Sequence, residues 1–226
     1  MISEQIINDL CSAYGNRNSS VINRLLGSYR TDEGTTYTFI ISEYVAMELA
    51  TAAGPAMIKS VVELFKRRLN PSMRRWMIKM LFVANLDTAG IQLQSQGGSL
   101  IDYPAAELVE YAKPPPCTAF DDQTRWLKPL DWNQPGFDMV HHSPNKVEFF
   151  RICSGQSQDV ELEHFAKFLE NLTNFNLKVS IVVVVPMNIL KDFKIGTVTG
   201  RGCMSHFKGW DCSEEQFEIL GMVGYP

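Results

Sequence analysis

The stretch Ile181-Val182-Val183-Val184-Val185 is apolar at every position and decides the fold class of this chain. A strand with one solvated face alternates apolar and polar residues, whereas an unbroken run of branched residues indicates burial on both faces. A helical pattern at residues 159–172 precedes this run, and strand patterns at residues 137–140 and 146–153 precede the helix. The order of strands, helix and buried strand predicts an α/β core whose mixed sheet is flanked by helices.

Helical patterns fill the first third of the chain. Ser42 is a good cap for a helix that Gly54 would end, and Pro55 is well suited to open the next one. Asn70-Pro71 separates that second helix, which is predicted to end near Leu69, from a third one. Further helical patterns occur earlier, at residues 2–14 and 21–26, and residues 35–41 favour an extended segment. We therefore expect a helical N-terminal third that packs on the sheet.

Composition limits the classes of function that this chain can have. Its 226 residues are 45% hydrophobic and 20% charged, as in ordinary globular domains. The net charge is −4 and the pI is about 5.6, so the field of the whole molecule opposes a polyanion. A nucleic-acid binder of this composition needs a local basic patch.

The cysteines indicate a reducing compartment. There are five, an odd number, and they are scattered along the chain without close pairs. This usage is typical of reduced thiols in an intracellular protein. The longest strongly apolar run is too short to span a bilayer, and the N-terminus has no signal-peptide pattern, so no membrane segment is expected.

Two acidic residues are candidates for metal-dependent chemistry. Asp138 lies between apolar neighbours in Gly136-Phe137-Asp138-Met139-Val140, and Glu148 lies in the next strand pattern. A charged group in such a place needs a partner, hydrogen bonds or a metal ion. Two carboxylates on neighbouring strands can hold a divalent cation that activates water. The alternative is that Asp138 pairs with Arg151 or Lys146.

Strand alternation separates the polar residues of the pattern at 146–153. Glu148 shares its face with Phe150, whereas Arg151 and Cys153 point the other way. The pair His141-His142, which follows Asp138 closely, is either the rim of a site or a polar turn.

A set of basic residues surrounds the junction at Asn70-Pro71. Such a set can contact phosphate groups, and the helix start after Pro71 adds backbone donors. A solvated helix face is the commoner reason for such a cluster, and Glu63 lies four residues before Arg67, as in a surface ion pair. The members of this basic set are Lys66, Arg67, Arg68, Arg74, Arg75 and Lys79.

Several segments in one order form a pattern over about residues 25–220. They are Ile41-Ser42-Glu43-Tyr44-Val45-Ala46, Asn70-Pro71-Ser72-Met73-Arg74-Arg75-Trp76, Trp132-Asn133-Gln134-Pro135-Gly136-Phe137-Asp138, the strand at 149–153, Val183-Val184-Val185-Pro186 and the tail at 193–200. Together these segments resemble the C-terminal region of the Crinkler effectors of oomycetes and fungi and of the related retrotransposon hot spot proteins.

The resemblance implies a restriction-endonuclease-like core, usually preceded by a P-loop ATPase module. Residues 1–69 resemble the final helical part of that module, and residues 70–226 resemble the α/β core. The sequence contains no Gly-rich phosphate-binding loop followed by Lys-Ser or Lys-Thr, so an autonomous ATPase is not expected.

The resemblance also implies which positions would perform cleavage. The family uses an acid on the helix after the Asn-Pro start, the Asp of the Gly-Phe-Asp strand and a polar pair on the next strand. In this chain the first position is Lys79, the second is Asp138, and the pair is Arg151 with Cys153. Cations at two of these positions would repel a divalent ion but would suit a phosphate backbone.

The sequence therefore predicts a Crinkler-like or hot-spot-like protein with a degenerate active site. It would bind nucleic acid, through the basic set and Arg151, or a nuclear partner, and the resemblance implies the nucleus, of a host cell if the protein is an exported effector. One alternative is an active endonuclease that uses Asp138 and Glu148 with Mg²⁺ or Mn²⁺, although Asp138 alone would be a weak metal ligand. The other is a protein-interaction module without nucleic-acid binding. A cofactor is expected only if cleavage survives.

Overall fold

A computed structural model describes residues 26–30, 32–34, 36–40, 42–65, 71–113, 123–131, 134–171, 177–210 and 216–224. The chain divides into two compact units, Met1–Ala89 and Gly90–Pro226. The first predicted helix, at residues 2–14, lies outside the described residues. Most of the second does too, but its last residue, Leu26, begins a strand.

The first unit contains a β-hairpin followed by three helices. Strands β1 (Leu26–Arg30) and β2 (Thr36–Ile40) pair antiparallel, and helices α1 (Glu43–Ala53), α2 (Pro55–Phe65) and α3 (Pro71–Asn85) follow. The Ser42 hydroxyl accepts a hydrogen bond from the Val45 N–H at 3.2 Å, as predicted for a cap, and Gly54 ends α1 with a φ of 71°. The first third is thus not helical throughout. The two units divide after α3, between Ala89 and Gly90.

The second unit is α/β. Its strands are β3 (Ile91–Ser95), β4 (Leu100–Tyr103), β5 (Glu107–Tyr111), β6 (Arg125–Pro129), β7 (Met139–Ser143), β8 (Lys146–Ile152), β9 (Ser157–Glu161), β10 (Lys178–Pro186), β11 (Lys194–Thr199) and β12 (Phe217–Met222). Among the described residues of this unit, two helices lie between the strands: α4 (Glu163–Leu169) and the single turn α5 (Arg201–Met204).

Eight of these strands form one mixed sheet in the order β4-β3-β12-β10-β8-β7-β6-β5. Strand β10 pairs parallel with both β8 and β12, and its side chains from Val182 to Val185 are fully buried. The prediction of a mixed sheet around a strand buried on both faces is therefore confirmed.

The sheet is strongly curled. Its two edge strands, β4 and β5, are consecutive in sequence and are joined by residues 104–106 alone. In a flat sheet of eight strands the edges would lie about 34 Å apart, whereas this short connection reaches about 14 Å. The sheet must therefore curl until its edges approach each other. Tyr103 on β4 accordingly contacts Trp126 on β6, with ring centroids 5.9 Å apart.

The curl gives the sheet an inner and an outer face. Tyr103 lies on the inner face. Because side chains alternate along β8, Glu148 and Phe150 point to the inner face and Phe149 points to the outer face. On the outer face Phe149 packs against Phe165 and Phe168 of α4, at centroid distances of 5.1 and 5.3 Å. These rings belong to one hydrophobic cluster of buried side chains. Burial of large aromatic side chains on one short helix fixes α4 on the sheet.

Several local predictions are corrected by the structure. Residues Trp126 to Pro129, where tryptophan and proline residues favour an irregular lid or the lead-in to a strand, form most of β6. The helix predicted over residues 159–172 is shorter, because residues 157–161 form β9, which pairs parallel with β11 in a separate two-stranded sheet. No helix among the described residues is long and apolar enough to cross a membrane.

Candidate functional site

Asp138 lies immediately before β7 and is bound to β8 by backbone and side chain. Its N–H donates to the Phe150 carbonyl oxygen at 2.7 Å, and its Oδ2 accepts from the Ile152 N–H at 2.7 Å. Its Oδ1 accepts from Nη1 of Arg151 at 3.4 Å. Both carboxylate oxygens of Asp138 therefore have donors from within the chain.

The residues before Asp138 hold it in this position. Gly136 has a φ of 88°, and a Cβ at this residue would lie 2.6 Å from the Cβ of His164 on α4. Phe137 is buried against Phe149 and Phe165, at centroid distances of 4.9 and 5.7 Å. Glycine permits the turn and the close approach to α4, and the buried ring then anchors the backbone at Asp138.

Arg151 and Cys153 lie on the same outer face of β8 as the Asp138 carboxylate. The Cys153 thiol is buried and donates to Oε1 of Gln158 at 3.2 Å. The Asp138–Arg151 pair is partly open to solvent, since the side chains are 11% and 18% exposed. The structure thus brings together Asp138 and Arg151, two positions that the resemblance connects with cleavage.

Glu148 lies on the inner face and does not meet Asp138. In the register of β7 and β8 it stands opposite His141, while Arg151 alternates to the outer face. The two acids are therefore separated by the sheet and do not form a joint metal site. Within the described ranges, no group of three or more His, Cys, Asp or Glu side chains could hold a metal ion.

The Glu148 carboxylate is the centre of a buried polar cluster. Its Oε1 accepts from the Tyr103 hydroxyl at 3.0 Å and is 2.6 Å from Nζ of Lys146. Its Oε2 is 3.0 Å from Nδ1 of His141. Lys146 also reaches Oε1 of Glu218 at 3.3 Å. Donors from three strands thus surround an acid that is only 4% exposed, which offsets the unfavourable burial of its charge.

The pKa values follow from this arrangement. Burial alone would raise the pKa of Glu148, but the hydrogen bonds from His141 and Lys146 together outweigh it and hold the pKa below its usual value. Burial lowers the pKa of Lys146, and its bonds to Glu148 more than compensate, so that the pKa is raised. Burial and the charge of Glu148 raise the pKa of Tyr103 strongly, so its hydroxyl stays a donor.

Two polar atoms beside Glu148 have no hydrogen-bond partner among the described residues: Nε2 of His141 and Oγ of the buried Ser180. Ser180 stands opposite Glu148 on β10. The His141 ring packs against Trp126 and Tyr103, at centroid distances of 4.5 and 5.3 Å. His141 therefore belongs to the Glu148 cluster and not to the surroundings of Asp138.

The predicted basic set is only partly described. Lys66, Arg67 and Arg68 lie outside the described residues, and the side chain of Arg74 is not described. Arg75 is half-buried. Lys79 is buried within the first unit, where its ammonium pairs with the Glu43 carboxylate on α1. Lys79 is thus engaged in joining two helices.

The polar cluster on the inner face was missed by the sequence reasoning. Glu148 and His141 were both noted, but their pairing depends on the register of β7 and β8, and Tyr103 reaches them only because the sheet curls.

Neither a scan against models of known protein families nor a search of curated proteins finds a match to this chain.

Proposed function

We propose that this chain is a Crinkler-like or hot-spot-like protein with a nuclease-type core that does not cut its target and acts by binding nucleic acid or a nuclear partner. The observation that supports this proposal is the state of Asp138. Its two carboxylate oxygens accept from the Ile152 N–H and from Arg151, at 2.7 and 3.4 Å. In the proposed core, Arg151 stands where cleavage chemistry needs a group that tolerates a divalent cation.

Electrostatics argues against metal binding at this position. A unit positive charge about 4 Å from a dication is unfavourable by several kcal/mol, even at an effective dielectric constant near 20. Magnesium also prefers near-octahedral oxygen ligands, and Asp138 offers a single carboxylate that is already hydrogen-bonded. Binding without cleavage is the function that this arrangement supports best.

A cleavage assay tests the proposal. Wild-type protein and Asp138→Ala would be incubated with single- and double-stranded DNA and RNA in Mg²⁺ or Mn²⁺. We expect no metal-dependent cutting by either protein. Cutting by the wild type that the substitution abolishes would show instead an active endonuclease and overturn the proposal.

A second function, a protein-interaction module, is favoured by one observation. Lys79 and Arg151, two cations of the proposed phosphate-contacting set, are both paired with carboxylates of the chain, and the net charge of the molecule is −4. DNA binding measured against salt concentration separates the two functions. Salt-dependent binding that weakens when Arg74 and Arg75 are replaced by Gln supports nucleic-acid binding; no salt-dependent binding supports the module.

A further inference from the structure

We propose that Arg151 binds the phosphate groups of nucleic acid and that Asp138 limits this binding, because Asp138 competes with the nucleic-acid backbone for the same guanidinium. This inference rests on the proposed nucleic-acid binding and adds to it the group that limits the affinity of Arg151 for phosphate. It is carried by the geometry of the pair on the outer face.

The two partners are held very differently. Asp138 is fixed by two backbone hydrogen bonds to β8, through its own N–H to Phe150 and through Oδ2 from Ile152, each at 2.7 Å. Arg151 reaches it by a contact of 3.4 Å from Nη1, at the end of a long side chain that is 18% exposed. The pair therefore opens by movement of Arg151, while Asp138 stays in place.

The chemistry of the pair favours such an exchange. A guanidinium binds best when two of its N–H groups meet two oxygens of one carboxylate or phosphate. The contact with Arg151 is made by Oδ1 of Asp138, while Oδ2 accepts from the Ile152 N–H. A phosphodiester has two non-bridging oxygens and can accept hydrogen bonds from two N–H groups of the guanidinium. The contact of 3.4 Å is also long for a charge-assisted hydrogen bond, so we expect the backbone of DNA or RNA to displace Asp138.

The ligand expected here is the sugar–phosphate backbone. A single guanidinium recognises the charge of a phosphate group and the spacing of its oxygens. Such a contact does not depend on the base sequence. The contact made by Arg151 therefore adds affinity for any sequence and disappears at high salt.

Binding of a fluorescently labelled DNA duplex, measured by anisotropy over a range of salt concentrations, tests the inference. Asp138→Asn keeps an oxygen for the Ile152 N–H but removes the charge that holds Arg151, and it should tighten binding about two- to fivefold. Asp102→Asn is the matched control: Asp102 is exposed on β4, accepts from Gln92 at 2.8 Å, and lies four strands from β8. It should tighten binding less than Asp138→Asn.

The complementary change is Arg151→Gln. It should weaken binding and reduce the slope of log K against log salt by about one. Lys178→Gln is its control. Lys178 is an exposed cation at the start of β10, beside Lys146, whereas Arg151 lies near the end of β8, so this change should weaken binding less. The double variant Asp138→Asn/Arg151→Gln should bind no tighter than Arg151→Gln alone, since Asp138 acts through Arg151.

The outcomes separate this inference from the function on which it rests. No salt-dependent binding by the wild type overturns nucleic-acid binding itself. Binding by the wild type with no loss in Arg151→Gln, or an equal gain in Asp138→Asn and Asp102→Asn, overturns the competition between Asp138 and phosphate and leaves the proposed function standing. If Asp138→Asn does not fold, the comparison of Arg151→Gln with Lys178→Gln still decides whether Arg151 contacts the nucleic-acid backbone.

Discussion

The carboxylates of Asp138, which is half-buried, and of Glu148, which is buried, both have hydrogen-bond donors from within the chain. Asp138 on the outer face accepts from a backbone N–H and a guanidinium, and Glu148 on the inner face accepts from Tyr103, His141 and Lys146. Each carboxylate has partners for both oxygens. The sequence predicted that such acids need partners, and it named Arg151 as one candidate for Asp138. It did not predict the partners of Glu148, because those come from strands whose register local patterns do not encode.

The Glu148 cluster leads to a prediction about stability. Replacing Glu148 by Ala leaves Lys146 and His141 without their buried carboxylate and should lower the free energy of unfolding by about 3 kcal/mol. Urea denaturation measures this value. Glu218→Ala is the control: the Glu218 side chain is 30% exposed, so its ion pair with Lys146 should contribute less than about 1 kcal/mol. Equal losses in the two variants would contradict the role given to Glu148.

The lowered pKa of Glu148 predicts a pH dependence. Below the usual carboxyl pKa of 4.5, the unfolded chain binds a proton at Glu148 while the folded chain keeps it ionised. The unfolded state thus binds more protons, and stability must fall as the pH falls through this range. Compared with wild type, Glu148→Gln should therefore lose less stability between neutral pH and about pH 3. Parallel curves of unfolding free energy against pH for the two proteins would be the contrary result.

Among the elements, those with strong apolar patterns were predicted and those without were missed. Helices α1, α2 and α3 and strands β7, β8 and β10 lie close to their predicted positions. Strands β9 and β11 are mostly exposed and polar, so they carry little periodic signal and were missed. Strand β6 ends at Pro129, and because proline is disfavoured inside a sheet, the local pattern does not indicate a strand there.

The connection into β7 gives a prediction at the scale of elements. Gly136→Ala combines a φ of 88° with a Cβ that would lie 2.6 Å from His164 on α4, so the turn and helix must move apart. We expect a loss of about 3 kcal/mol in urea denaturation. Gly98→Ala has a similar φ of 90° but its Cβ would lie 3.8 Å from the nearest atom, a Gln94 side-chain nitrogen. It should lose only about 1–2 kcal/mol, from backbone strain alone. Similar losses for both would show that contact with α4 is unimportant.

For the molecule as a whole, the curl of the second unit could not be predicted from local patterns. The alternation at residues 91–94 and the turn residues Gly97-Gly98 indicate the hairpin of β3 and β4, but the position of β4 at one edge and β5 at the other follows only from the full strand order. The restriction-endonuclease-like identity stays a proposal, as does binding of a nuclear partner. What the sequence did predict, a mixed sheet around β10, is the part that apolar burial alone decides.

Tyr103 tests the importance of the curl, because it connects β4 to Trp126 and Glu148 across the inner face. Tyr103→Ala should lower the free energy of unfolding by about 3–5 kcal/mol, as for other buried aromatic residues. Tyr103→Phe removes only the hydrogen bond and should lose about 1 kcal/mol. Leu100→Ala on the same strand is the control, since Leu100 is 56% exposed, and it should change stability by less than about 0.5 kcal/mol. A loss in Tyr103→Ala no larger than in Leu100→Ala would contradict the account of the curl.

The position of Asp138 beside Arg151 makes one measurement the most direct: calorimetric titration of the full chain with MnCl₂ at neutral pH, for wild type and Asp138→Ala. If Arg151 occupies the place of a metal ion, neither protein binds Mn²⁺ saturably in the millimolar range, and the two titrations are alike. Saturable binding of one Mn²⁺ by the wild type that is lost in Asp138→Ala would contradict the proposal of a core that binds without cutting.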